Sequence, residues 1–147
     1  MPALVPRWHL RVRKDMNRNQ PDRLRHPRAN PERQTMPRFT YISLVKAAEG
    51  REEEMLEWYR SRHLVDVVNM PGVVSGKLFQ LDFHRVYDLP DAPQWTTMVV
   101  YELEGDDPEP IVNSLRDASG SAIMPSCDAV TKGGMIQVAG HLIAEAG

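Results

Sequence analysis

The chain has 147 residues, 41% of them hydrophobic, with a formal net charge of −2, which suits a single domain with a true core. Its one cysteine, Cys127, excludes an internal disulfide framework and a cysteine metal cluster, and no apolar run reaches the roughly 18 residues of a membrane-spanning helix. Residues 1–36 hold nine basic and three acidic residues, while the remainder holds 9 basic and 17 acidic, a net of −8 that repels polyphosphates and argues against nucleic acid as a partner.

Residues 1–36 are rich in Arg, Pro and Asn and have no sustained apolar period, so they are expected to stay disordered. The plain reading is a dispensable extension upstream of a start at Met36. A basic arm for an acidic partner and a transit peptide are the alternatives. The opening MPALVPRWHLRVRK lacks an apolar h-region, so no secretory signal is expected. A cytoplasmic protein fits this and the single cysteine.

The folded domain is expected over 37–147. Arg38 to Lys46, RFTYISLVK, reads as a strand that is apolar on both faces, as in the centre of a sheet. A turn over Ala47–Gly50 leads to a helix from about Arg51 to Val68. Glu52, Glu53 and Glu54 crowd its first turn, where they suit the positive end of the helix dipole. At about 100° per residue, Met55, Leu56, Tyr59, His63, Asp66 and Val67 share one stripe, and Trp58 falls just outside it. Leu64 and Val68 fall on the opposite side, available to a partner chain or a loop. Pro71-Gly72 stops the helix.

A second strand is expected over Val73 to Phe83, a loop over His84 to Gln94, and a third strand over Trp95 to Leu103. Asp106-Asp107-Pro108 provides an acidic cap and a first-turn proline for a second helix over about Pro108 to Ala118. A loop from Ser119 to Lys132 precedes a last strand that starts near Gly133-Gly134. The order β-α-β-β-α-β predicts an α+β, ferredoxin-like fold: a four-stranded antiparallel sheet with both helices on one face. The other face also carries large apolar residues. A second copy would cover it, which predicts a homodimer.

His63 is the most informative residue. It lies within the apolar stripe, towards the C-terminal end of the helix, so its ring should face a helix–sheet cleft. Such a histidine is either a satisfied core group or a general acid–base. Asp66 at i+3 and Tyr59 at i−4 share its face, so a carboxylate could orient the ring. Tyr59 is a core residue whose hydroxyl could donate to a substrate carbonyl or enolate. Trp58 is a wall of core or interface. Lys77 interrupts an apolar strand and either snorkels at the sheet edge or holds an anionic group. Tyr101 and Glu102 read as packing and surface groups. His84, Arg85 and Tyr87 belong to a solvated loop or a lid, and His141 has no visible partner. No residue set has metal-ligand spacing beyond His63 with Asp66. There is no phosphate loop, nucleophile elbow or dinucleotide fingerprint.

The stretch GREEEMLEWYRSRHLVDVVNMPGVVSGKLFQL resembles the EthD-like branch of the dimeric α+β barrel proteins. It carries the branch's Gly-Arg-Glu turn at Gly50-Arg51-Glu52, the Trp-Tyr pair at Trp58-Tyr59, the histidine four residues on at His63, and Pro71-Gly72 before an extended strand. Tyr101 to Gly105, YELEG, is similar too. The likeness spans about Phe39 to Ala139. Val65 departs from it, standing where relatives often have proline, and a helix accepts Val there more easily.

The resemblance implies a ferredoxin-like protomer, a barrel made with a second copy, and a pocket between helix and sheet. Only Trp58, Tyr59 and His63 carry over by motif position. The expected function is a small cofactor-independent enzyme acting on a hydrophobic cyclic or aromatic compound, of lyase (dehydratase), isomerase or monooxygenase-like oxygenase type, as in aromatic or ether degradation. His63 would move a proton, Tyr59 and Lys77 would orient a carbonyl or phenolate, and Asp66 and Trp58 would complete the site. A non-catalytic ligand-binding or accessory protein is the alternative, and haem binding through His63 a lesser one.

Overall fold

The computed structural model describes residues 36–147. The arm expected over 1–36 therefore lies outside the described residues, apart from Met36. The elements are β1 (Arg38–Ala47), α1 (Glu52–Trp58, continuing as a π-helical turn over Tyr59–His63 and an α turn over Leu64–Val68), β2 (Val73–Gln80), β3 (Thr97–Glu104), α2 (Pro108–Ala118) and β4 (Val130–Gly140). The strands run β2-β3-β1-β4 across one sheet, and every neighbouring pair is antiparallel. This is the ferredoxin-like α+β fold, with the two strands that alternate most regularly, β1 and β3, at the centre.

Register assigns each side chain to a face, because residues directly opposite on antiparallel strands point the same way. Tyr41, Ser43 and Val45 of β1 lie opposite Tyr101, Val99 and Thr97 of β3, and all six are buried. They form the floor of the core. Met55, Leu56, Tyr59 and Val67 of α1 and Leu115 of α2 close it from above. Asp107 caps α2 by accepting from the Glu109 N–H at 2.9 Å, and Pro108 occupies the first turn, where its missing N–H costs nothing.

Ile42 and Leu44 of β1 and Met98 and Val100 of β3, with Phe79, Ile136 and Val138, point to the opposite face. Phe79, Ile136 and Val138 are 42%, 38% and 53% exposed there.

The strand ends differ from the sequence reading. β2 stops at Gln80, three residues short of Phe83. β3 begins at Thr97, because Trp95 leaves the ladder to bury its ring and donate its indole N–H to the Gly134 carbonyl at 2.8 Å. β4 starts at Val130, earlier than Gly133, and then breaks register. Lys46 pairs with Thr131 and Leu44 with Ile136, so the chain over 132–135 bulges out. Gly134 makes this possible: its φ is +79°, and a Cβ there would lie 2.6 Å from the Pro93 ring. Gly134→Ala should therefore lower stability by about 2 kcal/mol, measured by urea unfolding.

Candidate functional site

A cavity of about 340 Å³ lies between the helices and the sheet. Trp58, Tyr59 and His63 of α1 line it, as do Tyr41 and Tyr101 of the floor, Leu115 and Arg116 of α2, Cys127 of the loop after α2, and Lys132 and Met135 of the β4 bulge. Its wall is aromatic and aliphatic, with a few polar groups, which is the usual make-up of a small-molecule pocket.

The middle of α1 sets the geometry. The Leu64 N–H donates to the Tyr59 carbonyl, five residues back rather than four. A π turn of this kind absorbs one extra residue, so the helix beyond it lags the regular phase by about 100°. Residues five apart now meet: the Trp58 and His63 rings stack at 4.2 Å with planes 18° apart. Tyr59 meets the same imidazole edge-on at 5.2 Å. The lag also turns Leu64 and Val68 towards the core, where both pack. The regular-helix phase had put them on the far side and Trp58 outside the stripe.

Asp66 does not line the cavity, although its side chain is only 14% exposed and near enough to His63 to pull the imidazole pKa upward. Its carboxylate accepts from Arg62 at 2.9 Å and makes no hydrogen bond to His63. Lys77 is exposed on β2, opposite Val100, and so points to the other face of the sheet, away from the cavity. Of the five residues expected at the site, the cavity brings together Trp58, Tyr59 and His63. Arg116, Cys127 and Lys132 were missed. Arg116 falls within the second helix expected over about Pro108 to Ala118, and Cys127 and Lys132 fall in the loop expected over Ser119 to Lys132.

Burial sets the protonation states. It pushes the His63 imidazole down to about 4, against a smaller upward pull from Asp66, so the ring is neutral near pH 7. Burial pushes the Tyr59 and Tyr101 hydroxyls well above the ordinary tyrosine range, which keeps both phenols protonated. His63 Nδ1, Trp58 Nε1 and the Tyr101 hydroxyl are buried without a hydrogen-bond partner among the described residues. Each such group costs about 1–3 kcal/mol, so three around one cavity depart from the usual satisfaction of protein interiors.

Other groups lie apart. His84 packs edge-on to Trp95 at 5.8 Å, Arg85 and Tyr87 are exposed, and His141 lies edge-on to Phe39. Glu54, Cys127 and Asp128 come close to one another, but Arg51 already bridges Glu54 and Asp128 at 2.6 Å each. That cluster is an ion-pair clasp between the start of α1 and the loop before β4.

No family model and no curated protein matches the sequence. Among solved structures, the chain is similar to a protein from Shewanella loihica PV-4 provisionally described as a monooxygenase, at 15% identity over 75% of this chain and 98% of that one, with a TM-score of 0.49.

The acid response of His63 is measurable. Between about pH 6.5 and 4 the unfolded chain binds a proton that the folded ring refuses. Stability should fall as pH drops through this window, by up to about 3 kcal/mol from this residue, and be untouched by it above. Urea unfolding at pH 7 and pH 4.5 should show a smaller acid loss in His63→Gln than in wild type.

Proposed function

We propose that the protein is a small cofactor-independent enzyme that moves a proton on a hydrophobic one- or two-ring substrate, with His63 as the base. The supporting observation is a neutral imidazole held between Trp58 and Tyr59 in the wall of an apolar cavity. The ring is unprotonated at pH 7, so a lone pair is free, and a developing enolate beside it offsets the cost that burial sets on the imidazolium. With Nδ1 sealed from solvent, Nε2 is the atom that exchanges it.

The chemistry is removal of a proton from carbon next to a carbonyl. The C–H electron pair moves into an enolate, and the proton rests on Nε2 until it returns at the same or another position. The Tyr59 phenol, kept protonated by burial, donates to the developing oxyanion. Return at a second carbon is isomerisation, and loss of a neighbouring hydroxyl as water is dehydration. A cavity of about 150 Å³ admits one benzene ring, so roughly twice that volume suits a bicyclic compound. Membership of the EthD-like branch, suggested by the Trp58-Tyr59 and His63 motif, belongs to the same proposal. Asp66 and Lys77 have no part in it.

The test is exchange of the α-protons of 2-tetralone into D2O, followed by NMR. Wild type should accelerate it, and His63→Gln should lose at least a hundredfold of that acceleration, within the usual range for a general base. Tyr59→Phe should lose less. Undiminished exchange in His63→Gln would remove the base assignment. A Soret band on haem addition that His63→Ala lacks would replace it with a haem site.

The homodimer is part of the proposal. Phe79, Ile136 and Val138 are exposed on the sheet face away from the helices, beside half-buried Ile42, Leu44, Met98 and Val100. An apolar face of this kind favours a protein partner, and a second copy brings the matching surface. Val138→Asp should convert a dimer to a monomer in sedimentation equilibrium, and a wild-type monomer at micromolar concentration would end the idea.

A further inference from the structure

Every charged residue that lines the cavity is a cation: Arg116 from the last turn of α2 and Lys132 from the β4 bulge. This runs against the composition. Residues 36–147 carry 17 acidic and 9 basic side chains, so a random draw would favour carboxylates. The other arginines near α1 are committed elsewhere. Arg51 holds Glu54 and Asp128, Arg60 approaches Glu57, and Arg62 holds Asp66. Lys132 makes no ion pair among the described residues, and Arg116 has only its exposed chain neighbour Asp117 at 3.6 Å, a contact of little consequence.

The two cations come from different elements, and both line this one cavity. Gly134 and the register break send residues 132–135 out of the β4 ladder, so that Lys132 and Met135 both line the cavity. α2 supplies Arg116 to the same lining. The loop that closes this side, 119–127, holds no acidic residue. An anion in the cavity thus meets two positive groups and, among the described residues, no carboxylate from the lining.

We propose that the cavity selects an aromatic acid: the rings lie against Trp58, Tyr41 and Tyr101, and a carboxylate on the ring system sits between Arg116 and Lys132. This deepens the proposed function and rests on its cavity as the substrate site. The polar end of the substrate is then fixed at the rim, and its ring system is directed inward towards His63. In a domain whose net charge repels anions, a local pair of cations is what admits one.

The experiment compares two ligands of equal shape, 2-naphthoate and its neutral amide, 2-naphthamide, by isothermal titration calorimetry on the full chain at low ionic strength. Cys127 lines the same cavity and is the chain's one cysteine, so slowed alkylation by iodoacetamide reports occupancy independently of catalysis. The acid should bind at least tenfold more tightly than the amide, protect Cys127, and lose most of that preference in 0.5 M salt, where the Debye length is only a few ångströms. In the Arg116→Gln, Lys132→Met double variant the preference should fall to about onefold, while amide affinity stays within twofold and so reports an intact cavity.

Equal binding of acid and amide to wild type, both protecting Cys127, would overturn the anion selectivity and leave the cavity as a site for neutral aromatics. A preference that survives in the double variant would overturn the assignment to these cations. Failure of both ligands to bind or protect would overturn the cavity itself as the substrate site, and the proposed function with it.

Discussion

The hydrogen bond from the Leu64 N–H to the Tyr59 carbonyl organises this molecule's candidate site. It replaces a four-residue closure by a five-residue one, and the helix gains a wide turn at the point where its aromatic residues cluster. Single π turns within α-helices are uncommon and recur at functional sites. Here one turn accounts for three placements: Trp58 stacks on His63, and Leu64 and Val68 pack inward. A regular helix would scatter Trp58 and His63 to different sides and leave the imidazole without its aromatic wall.

That wall determines the chemistry available to the imidazole. Burial among rings makes protonation costly, so His63 stays neutral, and it also keeps the nearby phenols from ionising. The site thus holds a proton acceptor and a proton donor as neighbours without any charge between them. In such surroundings a charge that develops on a substrate is poorly screened and is felt strongly by the few dipoles aimed at it. The unpartnered atoms of Trp58, His63 and Tyr101 fit the same picture. Outside the cavity His84 Nδ1 is likewise buried without a partner, beside Trp95, whose own indole N–H is satisfied by the Gly134 carbonyl.

The sheet divides the molecule's tasks by face. Odd-numbered residues of β1 from Tyr41 to Val45 form the cavity floor and core, while Ile42 and Leu44 reach the open face. A period of two therefore sends alternate residues of one strand to two different surfaces. The same alternation carries Lys77 away from the cavity, since it lies opposite Val100 while its neighbour Gly76 lies opposite Tyr101. Gly76 is tied to this arrangement, because a Cβ there would lie 2.9 Å from the Tyr101 ring.

The sequence by itself determined what depends on short-range pattern. The alternation in Phe39–Val45, the acidic start and Pro-Gly end of α1, and the Asp107-Pro108 start of α2 define the elements and their order, and the order specifies the ferredoxin-like sheet. His63 and Tyr59 were legible because an apolar stripe and a motif both mark them, and Trp58 because the motif does. Phase within α1 was not legible, since a π turn has no signature in composition and a regular helix is the default for any apolar period. The same limit hid Lys132 and Arg116, which line one cavity only once the register break in β4 and the last turn of α2 are both in place. Local sequence chooses each element's conformation, but which side chains face a common hollow depends on phase and register between elements distant in the chain. That is decided only when the whole domain packs.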